Sequence, residues 1–90
     1  MVMKVAIEFF ATLREKFGKR KEVILDSNPT TLRNVLSKVD GLLEEIAETG
    51  NIKKMYKILL NGLNVEFLGG LNAKVKSGDE IYIFPPAGGG

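Results

Sequence analysis

The sequence lacks both cysteine and histidine. The chain therefore cannot form a disulfide, a cysteine/histidine zinc site, a cysteine nucleophile or a histidine general base. Acidic residues are present, but none forms a close pair in a recognisable site, and Glu44–Glu45 is typical of the solvent-facing side of a helix. We therefore predict no bound metal, no bound cofactor and no autonomous active site.

Long apolar runs are also missing. No stretch approaches the roughly 18 apolar residues that a membrane-spanning helix needs. The N-terminal residues 1–5 lead into an alternating pattern instead of a secretory signal, which predicts a cytoplasmic protein with no membrane partner. The net charge is only +2, and no aromatic stacking motif is interleaved with the basic clusters, so nucleic acid is not an expected partner.

The length and composition predict one soluble globular domain. Ninety residues, of which 44% are hydrophobic and 27% charged, are enough for one modest core. We place the domain at residues 1–86 and a flexible tail at residues 87–90.

Alternating apolar residues predict strands near both ends of the domain. Lys4–Phe10 and Glu22–Leu25 are close enough to pair as an antiparallel hairpin, joined by a short helical connection (11–17) and a basic turn. Glu80–Phe84 is the last strand. It ends at Pro85–Pro86, because proline cannot donate to a sheet ladder. The inward-facing residues of the first and last strands are Val5, Ile7, Phe9, Ile81 and Ile83.

The middle of the chain combines helices with a further hairpin. A helix capped by Thr30 or Thr31 carries an apolar stripe, and a second helical stretch ends near Gly50. Asn61-Gly62 predicts a tight turn between strands at 56–60 and 63–67, followed by a flexible break at 69–70 and a turn at 77–79. The stripe consists of Leu32, Val35, Leu36 and Val39. This order predicts an α+β fold with one main helix packed across a sheet.

The tail Ala87-Gly88-Gly89-Gly90 is suited to carrying a reactive carboxylate to another protein. It leaves the last strand through the stiff Pro85-Pro86 step, and five residues reach about 17 Å when extended. Glycine has no side chain, so the tail can thread a narrow channel and place the Gly90 carboxylate in the active site of a partner. Joined to AMP, that carboxylate becomes a mixed anhydride that sulfide or a thiolate can attack. The alternative is a frayed end or an expression scar.

Ordering such a tail costs on the order of 5–10 kcal/mol, so we expect a docking surface near its root. Three aromatic side chains and one leucine on the face of the sheet away from the core form a suitable docking surface. We also expect Pro85, Pro86, Ala87 and Gly88, which follow the last strand, to bind the partner. The candidate residues on the sheet itself are Phe10, Leu59, Tyr82 and Phe84. The alternative is that another element covers this face, which would make them core residues.

Several motifs occur in the order typical of one family. They are Phe9-Phe10-Ala11-Thr12-Leu13-Arg14-Glu15, Asn61-Gly62, Ser77-Gly78-Asp79-Glu80 and Phe84-Pro85-Pro86-Ala87-Gly88-Gly89-Gly90. Together they resemble the small subunit of molybdopterin synthase and its archaeal ubiquitin-like sulfur-carrier relatives, and the resemblance covers essentially the whole chain.

The resemblance implies a ubiquitin-like β-grasp fold, in which a mixed sheet wraps a helix and the first and last strands are adjacent and parallel. It also implies two partners. An adenylating activating enzyme uses ATP to charge Gly90, which becomes a thiocarboxylate. The large synthase subunit then receives the tail, whose sulfur helps to form the dithiolene of molybdopterin. Gly89 and Gly90 match the terminal pair of the family, and Phe10 and Phe84 match its apolar docking positions.

Two departures concern the root of the tail. The family usually has a bulkier residue where Ala87 stands and a non-glycine residue where Gly88 stands. These two differences affect the expected binding to the large synthase subunit more than the expected charging of Gly90. Four other roles stay open. They are a modifier joined through Gly90 to lysines of other proteins, a carrier for thiazole synthesis, a carrier for tRNA thiolation, and a non-covalent β-grasp module with an idle tail. If further residues follow Gly90, processing has to remove them first.

Overall fold

The computed structural model describes residues 2–86, and a five-stranded mixed sheet forms its framework. The strands are β1 (Met3–Phe9), β2 (Arg20–Leu25), β3 (Lys57–Leu60), β4 (Leu63–Asn64) and β5 (Glu80–Phe84). Their spatial order is β2-β1-β5-β3-β4. β1 and β5 run parallel, and every other neighbouring pair is antiparallel. The predicted adjacency of the first and last strands is confirmed.

Three short helices pack against one face of this sheet. They are α1 (Thr12–Phe17), α2 (Leu32–Leu36) and α3 (Leu42–Ile46). Their apolar residues are buried in one cluster with the inward-facing residues of the strands. Alternation explains the strand contribution, because every second residue of β1 and β5 faces the same side. The α+β class and the ubiquitin-like β-grasp fold are confirmed.

The main helix begins as the sequence predicts and ends earlier. The Thr31 hydroxyl accepts the backbone N–H of Asn34 at 3.2 Å, an N-cap that satisfies one otherwise unpaired donor. The α-helix ends at Leu36, although Val39 is still buried. Gly41, with φ of +78°, separates α2 from α3. The second helical stretch that the sequence predicts after the main helix is therefore present as α3, and each of the two helices is five residues long.

The predicted end of the second helical stretch near Gly50 is wrong. α3 ends at Ile46, and Ala47–Glu48 pairs with Asn51–Ile52 in a small antiparallel hairpin. The turn residues Thr49 and Gly50 both have positive φ, at 48° and 83°. Consecutive positive φ values are typical of a type I′ turn, which matches the twist of a hairpin.

Asn61-Gly62 forms the predicted tight turn, with φ of 51° and 89°. Its second strand is shorter than predicted, because the Asn64 side chain accepts the backbone N–H of Glu66 at 2.9 Å and begins a 3₁₀ helix at Val65–Leu68. The predicted flexible break at Gly69-Gly70 is also wrong. The chain forms a second 3₁₀ turn there, Gly70–Asn72, which buries Leu71.

Two further local differences concern strand bounds. Lys74–Val75, which the sequence did not identify, pairs with Thr30–Thr31. The basic turn predicted through Lys21 already belongs to β2, which begins at Arg20. The predicted turn at residues 77–79 is present, and the Asp79 carboxylate accepts the backbone N–H of Lys76 at 2.8 Å.

Candidate functional site

The parallel pairing of β1 with β5 brings the predicted docking residues together. Glu8 lies opposite Tyr82, and Phe9 lies opposite Ile83. Phe9 and Ile83 are fully buried, so the residue that follows each of them, Phe10 and Phe84 respectively, turns to the other face of the sheet. We call this other face the outer face of the sheet.

The antiparallel partner strand β3 adds the fourth residue, because Leu59 lies opposite Tyr82. We refer to Phe10, Leu59, Tyr82 and Phe84 as the outer-face patch. All four side chains are half-buried, and none belongs to the core cluster or packs against it. The alternative that these are core residues is therefore not supported by the described part of the chain.

The aromatic rings of the patch contact one another. The rings of Phe10 and Phe84 are stacked, with centroids 4.3 Å apart and planes inclined by 13°. The ring of Tyr82 lies 6.3 Å from that of Phe10 at a tilt of 53°. Such geometries add about 0.5–1.5 kcal/mol per pair beyond the buried area. Mutual stacking keeps the rings in place while leaving an apolar surface for a partner.

Arg14, on α1, packs over the patch, a position that no local sequence pattern indicates. Its guanidinium carbon lies 5.2 Å from the centroid of the Phe10 ring, which is a cation–π distance. Its Nε donates a 2.7 Å hydrogen bond to the carbonyl of Phe9. This contact fixes Arg14 beside Phe10 and places a cation at the border of the patch.

A chain of alternating charges continues this border. Arg20 on β2 contacts Glu8 at 3.4 Å and Glu80 at 3.5 Å, so it connects three neighbouring strands. Arg14 contacts Glu8 at 3.8 Å. Exposed ion pairs contribute little to stability, typically about 0–1 kcal/mol each. Their effect here is to surround the aromatic rings with a polar rim, as in many protein interfaces.

Tyr82 links the apolar patch to this rim. Its hydroxyl donates a 2.6 Å hydrogen bond to a carboxylate oxygen of Glu80. This hydrogen bond raises the pKa of Tyr82, and the same bond, together with the Arg20 charge, lowers the pKa of Glu80. The carboxylate is therefore ionised and the phenol neutral at physiological pH, which keeps the bond intact.

The two prolines that lead into the tail, Pro85 and Pro86, directly follow a residue of the patch. Phe84 is the last residue of β5, and β5 lies in the middle of the sheet between β1 and β3. Pro85 is half-buried and Pro86 is exposed. The other four predicted site residues, Ala87, Gly88, Gly89 and Gly90, lie outside the described residues. The reactive group itself, the Gly90 carboxylate, stays a prediction.

Ala11 is a second local feature next to the patch. Its φ is +52° and its ψ is −131°, a conformation that L-residues other than glycine rarely adopt. This residue turns the chain from β1 into α1 directly after Phe10. Backbone strain of this kind often accompanies functional sites.

Between residues 2 and 86, no three His, Cys, Asp or Glu side chains lie close enough together to hold a metal ion. No helix in the same range is long and apolar enough to cross a membrane.

Comparison with known proteins identifies relatives across the whole chain. The model of the ThiS family matches residues 7–90. Small archaeal modifier protein 3 of Haloferax volcanii is 34% identical over 92 aligned residues, which cover 98% of this chain and all of the relative.

Solved structures agree with this result. The crystal structure of small archaeal modifier protein 1 from Haloferax volcanii has a TM-score of 0.78 and 27% identity, covering 97% of this chain and 99% of that one. A chain of the BexX/CysO complex of Amycolatopsis orientalis has a TM-score of 0.77 and 25% identity, covering 96% and 99% respectively.

Proposed function

The chain belongs to the ThiS family of ubiquitin-like sulfur carriers and modifiers, and on this premise we propose that it is a sulfur carrier activated at Gly90. The observation that supports the proposal most is the position of Phe84, Pro85 and Pro86, the residues that precede the tail. The last strand ends at the outer-face patch, so a partner that binds Phe10 and Phe84 would also lie beside Pro85 and Pro86, through which the chain continues to Gly90. Binding at the patch then offsets the entropy cost of ordering the tail.

The proposed chemistry has two steps. In the first, the Gly90 carboxylate attacks the α-phosphorus of ATP in an activating enzyme, forming an acyl-adenylate and releasing pyrophosphate. In the second, hydrosulfide supplied by a sulfur donor attacks the acyl carbon, the bond to AMP breaks, and a thiocarboxylate remains. The activating enzyme supplies the nucleotide site, while this chain supplies the carboxylate and the docking surface.

We propose molybdopterin synthesis as the first destination of the sulfur, with the chain as small subunit beside a large synthase subunit. The Phe84-Pro85-Pro86 sequence after the Asp79 turn supports this role. A second destination, covalent attachment to lysines of other proteins, is favoured by the relative named as a small archaeal modifier protein. There a lysine amine would attack the carbonyl carbon of the Gly90 acyl-adenylate, the bond to AMP would break with loss of a proton from the amine, and an isopeptide bond would remain.

Intact-protein mass spectrometry tests the charging step. The chain is incubated with its cognate activating enzyme, ATP and sulfide. We expect one carboxyl oxygen to be replaced by sulfur, and we expect no change when ATP is omitted or Gly90 is deleted. An unmodified wild type under complete conditions would contradict the proposal.

A second experiment separates the two destinations. Affinity capture with the thiocarboxylated chain should retain a large synthase subunit if the sulfur goes to molybdopterin. Lysine adducts that carry a Gly-Gly remnant after proteolysis would assign the modifier role. The predicted cytoplasmic location is part of this proposal, because both acceptors would have to share a compartment with the activating enzyme.

A further inference from the structure

An open groove of about 670 Å³ lies beside β2, outside the outer-face patch. Its base is apolar and is formed by Phe17 of α1, Val23 of β2 and Val39 of the loop between α2 and α3. Lysine side chains border it, and these are Lys16, Lys21 and Lys38. We refer to this feature as the β2-edge groove, because β2 is an edge strand of the sheet.

The free edge of β2 presents unpaired backbone groups to the groove. Phe9 donates its N–H to the carbonyl of Lys19, which fixes which positions of the β1–β2 ladder are hydrogen-bonded. In an antiparallel ladder, residues that hydrogen-bond to the neighbouring strand alternate with residues that do not. Arg20, Glu22 and Ile24 therefore direct their N–H and C=O groups away from β1.

The other side of β1 agrees with this assignment. Ala6, which lies opposite Glu22, donates its N–H to the carbonyl of Asp79 at 3.2 Å and so does not bond to β2. No other strand within residues 2–86 pairs with β2 on its free side. An incoming strand would find alternating donors and acceptors along this edge.

The border of the groove carries an excess of positive charge. Lys21 and Lys38 have no carboxylate within ion-pair distance in the described part of the chain, and both are exposed. Lys16 differs, since it bonds to Glu45 at 2.6 Å. Two acidic residues line the groove, Asp40 and Glu22, and of these Asp40 lies on the helix side of the sheet with the lysines.

Glu22, which also borders the groove, does not reduce this excess. Its neighbours Lys21 and Val23 face the groove, so its own side chain lies on the outer face, where its carboxylate contacts Lys4 at 3.7 Å. Ile24 follows on the same outer face and is 57% exposed. A bound segment would therefore meet lysines and an apolar base on one side and an isoleucine on the other.

We propose that the β2-edge groove binds an extended, acidic segment of a partner protein by adding it as a strand beside β2. Its backbone pairs with Arg20, Glu22 and Ile24. Its alternate side chains face the groove, where apolar ones contact Phe17 and Val39 and acidic ones contact the lysines. A second copy of this chain fits less well, since exposed lysines on an edge strand oppose pairing with an identical edge.

This surface is separate from the proposed carrier site. β1 lies between β2 and β5, so the groove is about 10 Å, two strand spacings, from the strand that bears the tail. The groove also faces the helix side of the sheet, whereas the patch lies on the outer face. The proposal therefore does not depend on the activation of Gly90.

Amide hydrogen exchange, followed by NMR on the full ¹⁵N-labelled chain, tests the proposal. The probe is a short synthetic peptide of alternating valine and glutamate, capped at both ends, and the control peptide has lysine in place of glutamate. We expect the acidic peptide to slow exchange at Arg20, Glu22 and Ile24. The amides of Lys21 and Val23 already bond to β1 and should not change.

Two variants sharpen the test. The double substitution Lys21→Glu/Lys38→Glu should weaken peptide binding roughly fivefold or more. Lys54→Glu/Lys76→Glu reverses two other exposed lysines and should leave binding unchanged. Glu22→Pro removes one outward N–H while sparing the β1 ladder, and it should also weaken binding.

Three results would overturn the proposal. One is the absence of protection with excess acidic peptide, and another is equal binding of the two peptides. The third is protection of the same amides that rises with protein concentration in the absence of peptide, which would assign the edge to a second copy of the chain.

Discussion

Phe10 and Phe84 stack on the outer face of the sheet with their ring centroids 4.3 Å apart. One residue follows β1 and the other ends β5, so the parallel pairing of these two strands creates the contact. Pro85 comes directly after Phe84. The contact therefore lies at the end of the last strand, directly before the two prolines that lead into the C-terminal residues.

The substitution Phe84→Ala should weaken binding to the activating enzyme roughly tenfold or more, because truncating an aromatic anchor at an interface commonly costs over 1 kcal/mol. The domain should stay folded. Phe84 is half-buried outside the core, so we expect the free energy of unfolding to fall by only about 1 kcal/mol. Isothermal titration calorimetry and urea denaturation measure the two effects.

Phe67→Ala is the matched control for this prediction. Phe67 is 86% exposed and does not belong to the outer-face patch, so its truncation should alter neither the affinity nor the stability. An unfolded Phe84→Ala variant would place this residue in the core. If both substitutions lowered the affinity for the activating enzyme equally, the patch would have no special role in binding it.

Ala11→Gly should raise the free energy of unfolding by about 1 kcal/mol, because glycine adopts the φ of +52° without the steric cost that alanine incurs. Chemical denaturation measures this change. Ala47→Gly is the control, since Ala47 has an ordinary extended φ of −110° and its replacement should lower stability. A stability loss in both variants would show that Ala11 is not strained.

The outer-face patch could be predicted from the sequence because it depends on a period of two. Alternation in Lys4–Phe10 and Glu80–Phe84 separates Phe10, Tyr82 and Phe84 from the buried residues, and family resemblance supplies the adjacency of the two strands. The stacking of Phe10 on Phe84 then follows from the register. Their role in binding a partner stays a prediction.

The border of the patch could not be predicted in the same way. Arg14 reaches Phe10 from a helix, and Arg20 contacts both Glu8 and Glu80 across three strands. These contacts depend on long-range register, which no local pattern contains. Lys74–Val75 was missed because a two-residue strand has no periodicity to detect. The helical spacing of Leu42–Ala47 similarly concealed the hairpin that begins at Ala47.

Tyr56 should titrate at an unusually high pH. Its hydroxyl donates a 2.6 Å hydrogen bond to Glu45, and this bond, together with partial burial, raises the pKa of Tyr56 to about 12 from an ordinary value of 10. The phenolate absorbance of a Tyr82→Phe variant, which leaves Tyr56 as the one tyrosine, measures it directly. Adding Glu45→Gln should move the titration back toward its ordinary pH.

Circular dichroism at each pH provides the control for this titration, because an unfolded chain would report an ordinary tyrosine. A folded Tyr82→Phe protein whose tyrosine titrates near pH 10 would contradict the hydrogen bond between Tyr56 and Glu45.

Stability in acid should depend on the same carboxylate. Hydrogen bonds from Lys16 and Tyr56 lower the pKa of Glu45 below 4.5 in the folded state. A lowered pKa contributes stability above the unfolded-state value, and this contribution is lost as the pH falls through the folded-state value. Glu45→Gln should therefore be less stable than the wild type at neutral pH, with a smaller loss below pH 4.5.

Urea denaturation at a series of pH values measures this difference. Glu44→Gln is the matched control, since Glu44 is exposed on the same helix and forms no ion pair within residues 2–86. Parallel stability curves for the wild type and Glu45→Gln would contradict the assigned role of Glu45.

Fragment-ion mass spectrometry of the charged chain locates the sulfur and so tests the carrier function most directly. After reaction with the activating enzyme, ATP and sulfide, we expect the C-terminal fragments that contain Gly90 to carry the added mass and the fragments that end before it not to. Sulfur located at any other residue, or an equal gain of mass in a chain that lacks Gly90, would contradict the proposed carrier function.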